Sequence, residues 1–181
     1  MSIALYDASI PVFLRYLDRL RGLVDRAEAY VRTKGLDVSE IMGARLAPDM
    51  LPFETQVRIA ANFALRASFP LARLEVPPYG EFPATFAGLR TCITRAAALL
   101  GSLKPSQFED SNGGGNSCLL ESQAGNALVG LPAPEFLLHY TLPNFFFHLT
   151  MAYAIMRAQG VAIGKADFDG LHAYSSRPAS Q

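Results

Sequence analysis

The chain has 181 residues, of which half are apolar, and its 16 basic residues equal its 16 acidic residues in number. A chain of this length can bury a substantial core in one domain without disulfides or a structural metal. The charge balance argues against nucleic-acid binding and against attachment to an anionic membrane surface, because both need a basic excess. Cys92 and Cys118 are too few for a disulfide framework, which favours the reducing cytoplasm.

Apolar residues recur at intervals of three and four along four segments, which is the period of an amphipathic helix. Helices are predicted over residues 3–33, 53–74, 84–102 and 134–159. Lys34 and Gly35 supply a stop for the first helix, because a cation suits the last turn and glycine tolerates a left-handed cap. In the second helix, Arg58, Arg66 and Arg73 are expected to face solvent.

Between Lys104 and Pro134 the helical period disappears and glycines become frequent. This composition predicts a small β-hairpin or an irregular insertion between the third and fourth helices. The glycine triplet 113–115 lacks the Lys-Ser or Lys-Thr pair of a phosphate-binding loop, so it is interpreted as a turn. Four long helices with one such insertion predict an all-α four-helix bundle.

The C-terminal region divides into a structural motif and a tail. The motif GKADFDG at 164–170 is interpreted as a latch, in which Asp167 caps a short helical turn. Residues 1–174 are predicted to form a single domain, and residues 175–181 are predicted to be a disordered tail.

The most apolar run of the chain extends from Phe136 to Met156 and approaches transmembrane length. It contains His139, Asn144 and His148, and such polar side chains are costly in hydrocarbon. The run is therefore expected to be a buried helix, and no membrane partner is expected.

Three segments in order along the chain are similar to an uncharacterised bacterial domain-of-unknown-function family, which is placed among the DinB-like four-helix bundles. The segments are LYDASIPVFLRYLDRL at 5–20, ARLAPDMLPFETQVRIA at 44–60 and LPNFFFHLTMAYAIMRAQGVAIGKADFDG at 142–170. The resemblance implies an up-down-down-up bundle. Many DinB-like relatives hold a divalent metal with three histidines, and the resemblance implies such a site here. One of these histidines lies on the second helix, and the other two lie four residues apart on the last helix.

The implied metal triad is degraded in this sequence. His148 matches the second histidine of the last-helix pair, but Asn144 stands in the place of the first. The second helix has no histidine, and around Asn62 it offers only an amide. Zinc and nickel prefer nitrogen or sulfur donors, so no tightly bound metal and no cofactor are expected.

Asn144 and His148 lie four residues apart on the last helix, so they share one face, and Tyr140 extends the same stripe. With Asn62 they form the candidate pocket. Buried polar side chains need partners, so two interpretations stay open. The group binds a small molecule, or it satisfies backbone groups near Pro143, where a helix loses a hydrogen bond. His139 precedes His148 by nine residues, which on an uninterrupted helix places the two on opposite faces.

The run Phe145, Phe146 and Phe147 directs aromatic rings to three sides of one helix. A thick core is the first interpretation, a homodimer interface the second and an apolar ligand pocket the third. The leading functional hypothesis is a bacterial, cytoplasmic binding or structural protein that forms a homodimer. The first alternative is a thiol-dependent transferase or metal-assisted hydrolase that uses His148, and the second is a carrier of a small apolar ligand.

Overall fold

Four long helices form a bundle in the computed structural model, which describes residues 4–112 and 119–172. The four helices are α1 (Leu5–Lys34), α3 (Phe53–Leu71), α4 (Phe86–Gly101) and α6 (Leu142–Ala158), and a short helix α2 (Val38–Gly43) follows α1. Helix α3 packs against both α4 and α6, and α1 packs against α4. The predicted all-α, up-down-down-up bundle is confirmed.

Helix α1 follows the predicted periodicity closely. Its buried side chains recur every three or four residues and include Phe13, Leu17, Leu20 and Val24. Gly35 ends the helix with φ 65°, in the left-handed region, and its N–H donates to the Val31 carbonyl oxygen. Glycine adopts this conformation without the steric cost that a Cβ atom imposes, so the predicted C-terminal stop is confirmed.

The second and third predicted helices are slightly shorter in the structure. Helix α3 ends at Leu71, and Arg73 just beyond it has φ 58°, which a right-handed helix does not accommodate. Arg73 is exposed, as predicted, but Arg58 and Arg66 are partly buried. The prediction that these two face solvent was wrong: Arg58 pairs with Glu54 at 2.7 Å, and Arg66 lies beneath the hairpin described next.

The insertion between the third and fourth bundle helices contains a two-stranded antiparallel hairpin. Strand β1 (Leu120–Ala124) pairs with β2 (Ala127–Leu131), with Leu120 opposite Leu131 and Ala124 opposite Ala127. A 3-10 helix over Pro105–Asn112 precedes the hairpin. The predicted hairpin is confirmed, whereas the glycine triplet 113–115 lies outside the described residues.

The last long helix is interrupted, in contrast to the prediction of one helix over 134–159. A single turn, α5 (Ala133–Glu135), leads into a π-helical segment over Phe136–Thr141, and only then does α6 begin. Pro143 lies in the first turn of α6, where its missing N–H and its ring prevent regular α-helical bonding to the preceding turn. The wider π-helical turn accommodates the proline ring and the missing hydrogen bond.

The C-terminal motif folds against α1. It forms a short helix α7 (Lys165–Asp169), and the Asp167 carboxylate accepts a hydrogen bond from the Gly164 N–H at 2.8 Å. The guanidinium of Arg15 on α1 donates to the Asp169 carbonyl oxygen, also at 2.8 Å. This is the arrangement expected of a latch.

No helix within residues 4–112 and 119–172 combines the length and the hydropathy that crossing a membrane requires. The assignment of residues 1–174 to one domain stays a prediction. The predicted tail, 175–181, lies outside the described residues.

Gly88 is required by close packing at the start of α4. A Cβ atom built on Gly88 would lie 2.2 Å from the Pro83 carbonyl oxygen, whereas one on Gly101, at the other end of the helix, would meet nothing within 4 Å. We expect Gly88→Ala to lower the free energy of unfolding by about 1–3 kcal/mol, as overpacking does. Gly101→Ala should not destabilise the protein, because alanine is the better helix former. Urea unfolding of both variants measures the difference, and equal stabilities would contradict the packing argument.

Candidate functional site

His148 on α6 is held by a side chain from α3. The Nδ1 atom of His148 lies 2.7 Å from Oε1 of Gln56, and Gln56 is almost completely buried. The Nε2 atom of Gln56 donates to the Leu51 carbonyl oxygen at 3.2 Å. Because this second bond fixes which end of the amide is nitrogen, Oε1 faces the imidazole and must accept from it.

The Gln56 contact therefore sets the tautomer of His148. Nδ1 carries the proton and donates it to Gln56, which leaves Nε2 with a lone pair. The imidazole stacks on the buried Phe63 ring with centroids 5.7 Å apart and planes inclined by 20°, and Phe147 meets it edge-on at 5.2 Å. Aromatic contacts and one hydrogen bond thus fix the ring orientation.

The surroundings of His148 favour its neutral form. Burial is the main reason that its pKa lies below the ordinary value of 6.5, and the positive charge of Arg66 lowers the pKa further. The imidazole is therefore uncharged at neutral pH and presents an acceptor nitrogen rather than a cation.

Asn144 on α6 and Tyr140 in the preceding π-helical segment come before His148 in the chain, and their side chains form different hydrogen bonds. The Asn144 Nδ2 atom donates to the Tyr140 carbonyl oxygen at 2.7 Å, one turn before it. This bond satisfies a backbone acceptor at the end of the π-helical segment, beside Pro143, as one of the two sequence interpretations expects. Asn62 on α3 is partly exposed and has no hydrogen bond to His148, Asn144 or Tyr140 among the described residues.

The hydroxyl of Tyr140 belongs to a second polar group centred on Arg66. The Nη2 atom of Arg66 lies 3.1 Å from the Tyr140 hydroxyl and 2.7 Å from the Ser122 hydroxyl, and it also donates to the Gln123 carbonyl oxygen. The guanidinium lies 4.5 Å from the centroid of Phe63, the same ring on which His148 stacks. One aromatic ring thus links the two polar groups.

Tyr79, from the connection between α3 and α4, also interacts with this group. Burial raises the pKa of its phenol; the Tyr140 hydroxyl acts in the same direction and the charge of Arg66 opposes it. We call Phe63, Arg66, Tyr79, Tyr140 and His148 the α3–α6 cluster.

The remaining candidates of the sequence lie outside the cluster. His139 is exposed and lies within the π-helical segment, so the spacing argument based on an uninterrupted helix does not apply. His172 contacts the Asp169 carboxylate at 2.5 Å. Phe145 is completely buried and meets Phe13 edge-on at 5.0 Å, Phe146 packs on Tyr16, and Phe147 is 52% exposed. The three phenylalanine rings therefore do not line one common cavity.

Comparison with known proteins places this arrangement in a family. The model of a domain-of-unknown-function family, DUF1993, matches residues 5–169. The chain belongs to the DUF1993 family. The crystal structure of a DinB family member from Shewanella denitrificans is similar to it, with a TM-score of 0.81, 28% sequence identity and coverage of 96% of each chain. No curated protein matches the chain. The inferred membership of a domain-of-unknown-function family with a DinB-like fold is confirmed.

The donor atoms of this DUF1993 chain do not fit the three-histidine metal site implied by the DinB resemblance. His148 offers one ring nitrogen, whereas Gln56 and Asn144 offer amides, and the Asn144 nitrogen is already bonded to Tyr140. Within the described part of the chain, no three His, Cys, Asp or Glu side chains come together as a set of metal ligands. An imidazole with two amides is a poor donor set for zinc or nickel.

Sequence reasoning missed Gln56, Phe63, Arg66 and Tyr79. A signal was available for Gln56, which lies three residues after Phe53 and four before Ala60 on the buried stripe of α3. A polar residue at such a position is the same signal that identified Asn144 and His148. No comparable signal distinguishes Arg66 from the other arginines, because its partners come from the hairpin and the π-helical segment.

Proposed function

We propose that this DUF1993 protein is a non-catalytic binding protein of the bacterial cytoplasm, which recognises a small molecule at the α3–α6 cluster. In this proposal, amides have replaced histidines around the metal position of the DinB-like bundle. Three residues of the predicted pocket contribute to the site or support it: Asn144, Tyr140 and His148. The α3 side chain of the site is Gln56, whereas the sequence predicted Asn62.

The observation that carries the proposal is the hydrogen bond between His148 Nδ1 and Gln56 Oε1, at 2.7 Å. An α3 side chain that faces His148 is the position from which a bundle histidine would complete a metal site. Here that position holds a buried amide, which binds the imidazole and is itself fixed by the Leu51 carbonyl oxygen. A satisfied, neutral and rigid polar group supports recognition through hydrogen bonds.

Metal content separates this proposal from a metal-dependent enzyme. Elemental analysis of protein purified without chelator or metal-affinity resin should find less than about 0.1 zinc or nickel per chain, because one imidazole alone binds weakly. The double variant Gln56→His/Asn144→His is the matched control, since it restores histidines at both positions. We expect it to bind one divalent ion and to become more resistant to thermal unfolding when zinc is added.

Stoichiometric metal in the unmodified protein that disappears in His148→Ala would contradict the proposal. Thermal unfolding of His148→Ala shows whether that variant keeps its fold. Metal that remains in His148→Ala would lie elsewhere in the protein.

A DinB-like enzyme that uses His148 as a general base is the second candidate. The observation in its favour is the Nε2 lone pair, on an imidazole whose pKa is lowered by burial and by Arg66. Such a group accepts a proton near neutral pH. This candidate predicts measurable catalysis of a thiol-dependent transfer or of a hydrolysis. The activity should be lost in His148→Ala while the fold is retained.

A homodimer is proposed on the basis of exposed apolar side chains of the hairpin, the π-helical segment and α6. Leu128 is 63% exposed, Leu138 55% and Phe147 52%. Exposed apolar side chains of this size favour association with a second copy. Sedimentation equilibrium tests this, and a monomer at high micromolar concentration would contradict it. The alternative of an apolar-ligand carrier gains no support from the phenylalanine run, because Phe145 and Phe146 pack against each other and against α1, and Phe147 is 52% exposed.

A further inference from the structure

Arg66 carries a positive charge that its described partners do not balance. The side chain is partly buried, and its hydrogen bonds go to the Ser122 hydroxyl, the Gln123 carbonyl oxygen and the Tyr140 hydroxyl, all of which are neutral. Charged side chains that leave solvent are usually paired with an opposite charge, because desolvation of an unpaired ion is costly. The other partly buried arginine of α3, Arg58, is paired in this way with Glu54 at 2.7 Å.

The guanidinium also has unused donors. All three hydrogen bonds of Arg66 use the single nitrogen Nη2. A guanidinium has five N–H groups, so those of Nε and Nη1 stay without a partner among the described residues. These donors and the charge are suited to an oxygen atom that carries negative charge.

The neighbours of Arg66 define what else such a ligand meets. Tyr140 contributes a hydroxyl group 3.1 Å from the guanidinium. The charge of Arg66 also acts on the phenol of Tyr79, whose pKa it lowers against the effect of burial. His148, which stacks on the same Phe63 ring that Arg66 contacts, presents the acceptor nitrogen Nε2, because Nδ1 donates to Gln56. The cluster thus combines a cation and a hydroxyl group with a neutral acceptor around one aromatic ring.

We propose that Arg66, Tyr79 and Tyr140 bind the oxyanion of a small ligand, a carboxylate or a phosphate, and that His148 accepts a hydrogen bond from an O–H or N–H group of the same ligand. This inference rests on the proposed binding function and gives it a ligand class. The guanidinium supplies the charge, and the fixed tautomer of His148 requires a donor. The Tyr140 hydroxyl donates to the Ser122 hydroxyl at 3.4 Å, and it turns this O–H to the oxyanion when the ligand binds. The Tyr79 hydroxyl supplies a further hydrogen bond.

A purely structural role for Arg66 makes a different prediction. As a clamp that attaches the hairpin to α3, Arg66 needs only its Nη2 contacts, and oxyanions would then affect the protein no more than chloride does. Anion-dependent stabilisation that requires Arg66 is specific to the binding role, because only that role uses the unpaired charge and donors.

The test compares inorganic phosphate, acetate and chloride at equal ionic strength by isothermal titration and thermal unfolding. We expect phosphate or acetate to bind and to raise the midpoint of unfolding, and the stronger of the two identifies the class of oxyanion. In Arg66→Gln the dissociation constant should increase about 10-fold or more, as expected for loss of a charge-assisted hydrogen bond. Arg32→Gln removes the same charge from an exposed position on α1 and should bind as the unmodified protein does.

A second measurement, the NMR titration of His148, detects anion binding at the site directly and does not require Arg66→Gln to fold. The pKa of His148, followed by NMR, should rise when phosphate or acetate binds, because the anion offsets the charge of Arg66 that lowers it. Tyr79→Phe removes one hydroxyl from a partly exposed side chain and should weaken the anion effect while the fold is kept.

Equal effects of all three anions, or equal anion binding by Arg66→Gln and Arg32→Gln, would overturn the inference. Neither result depends on metal content. Loss of the anion effect therefore contradicts the oxyanion site alone, whereas metal bound through His148 contradicts the proposed function.

Discussion

Replacing Phe145 with alanine is expected to lower the free energy of unfolding by about 3–5 kcal/mol, the usual cost of removing a buried phenylalanine ring. Phe145 is completely buried and meets Phe13 of α1 edge-on at 5.0 Å. The variant loses the transfer free energy of the ring and the aromatic contact, and it leaves a cavity where α6 faces α1. Denaturant unfolding monitored by circular dichroism measures the change.

The same sequence run supplies the control. Phe147 lies two residues further along α6 and is 52% exposed, so Phe147→Ala should cost less than about 1 kcal/mol. Equal losses in the two variants would show that Phe147 is buried in solution, as it would be at an interface between two copies. Repeating the measurement across protein concentrations distinguishes that case, because the stability of a dimer depends on concentration.

Replacing Gln56 with glutamate is expected to reverse the sign of the pH dependence that His148 confers on stability. In the unmodified protein the pKa of His148 is below its ordinary value of 6.5, so the unfolded state binds the proton more readily. Stability is therefore full above pH 6.5 and falls as the pH drops through that value. In Gln56→Glu, a carboxylate beside Nδ1 raises the folded pKa above the ordinary value, and that stabilisation is lost as the pH rises through it.

The size of the Gln56→Glu effect follows from the buried position of the residue. Above the His148 pKa, the new carboxylate is buried beside a neutral imidazole and faces the Leu51 carbonyl oxygen, which accepts from the amide in the unmodified protein. We expect a loss of about 1–3 kcal/mol at pH 8. NMR titration of His148 gives the pKa, and urea unfolding at several pH values gives the slope.

Gln159→Glu makes the same charge change at an exposed residue near the end of α6. It should leave the pKa of His148 and the pH dependence of stability almost unchanged. An unchanged His148 pKa in Gln56→Glu would show that Gln56 does not contact the imidazole in solution.

The bundle was predictable because helix and hairpin signals are local. A period of three to four apolar residues identified α1, α3, α4 and α6, and the clustered glycines located the hairpin. The π-helical segment was not predicted, because its only local signal is Pro143, and a proline is compatible with a kink, a break or a wider turn. Helix ends were predicted best where a specific cap occurs, as at Gly35.

The candidate site was predictable in part, and the reason is geometric. Asn144 and His148 are neighbours on one helix, so their spacing placed them on one face. The partner of His148 is 92 residues away in sequence, and Arg66 lies 56 residues from Ser122 and 74 from Tyr140. Such contacts depend on how whole elements pack, and periodicity within one element does not specify this.

The π-helical segment changes the direction in which the side chains before it point relative to those of α6. A turn that holds an extra residue rotates the upstream side chains by about 100° relative to a continuous α-helix. Tyr140 contacts Arg66 from within this segment, while Asn144 and His148 lie in the regular register of α6. A one-residue deletion before Tyr140 in this segment would rotate the side chains that precede the deletion and leave the His148–Gln56 bond in place, because α6 carries His148. The number of residues before α6 thus sets which upstream side chains face the bundle, without a change in the register of His148.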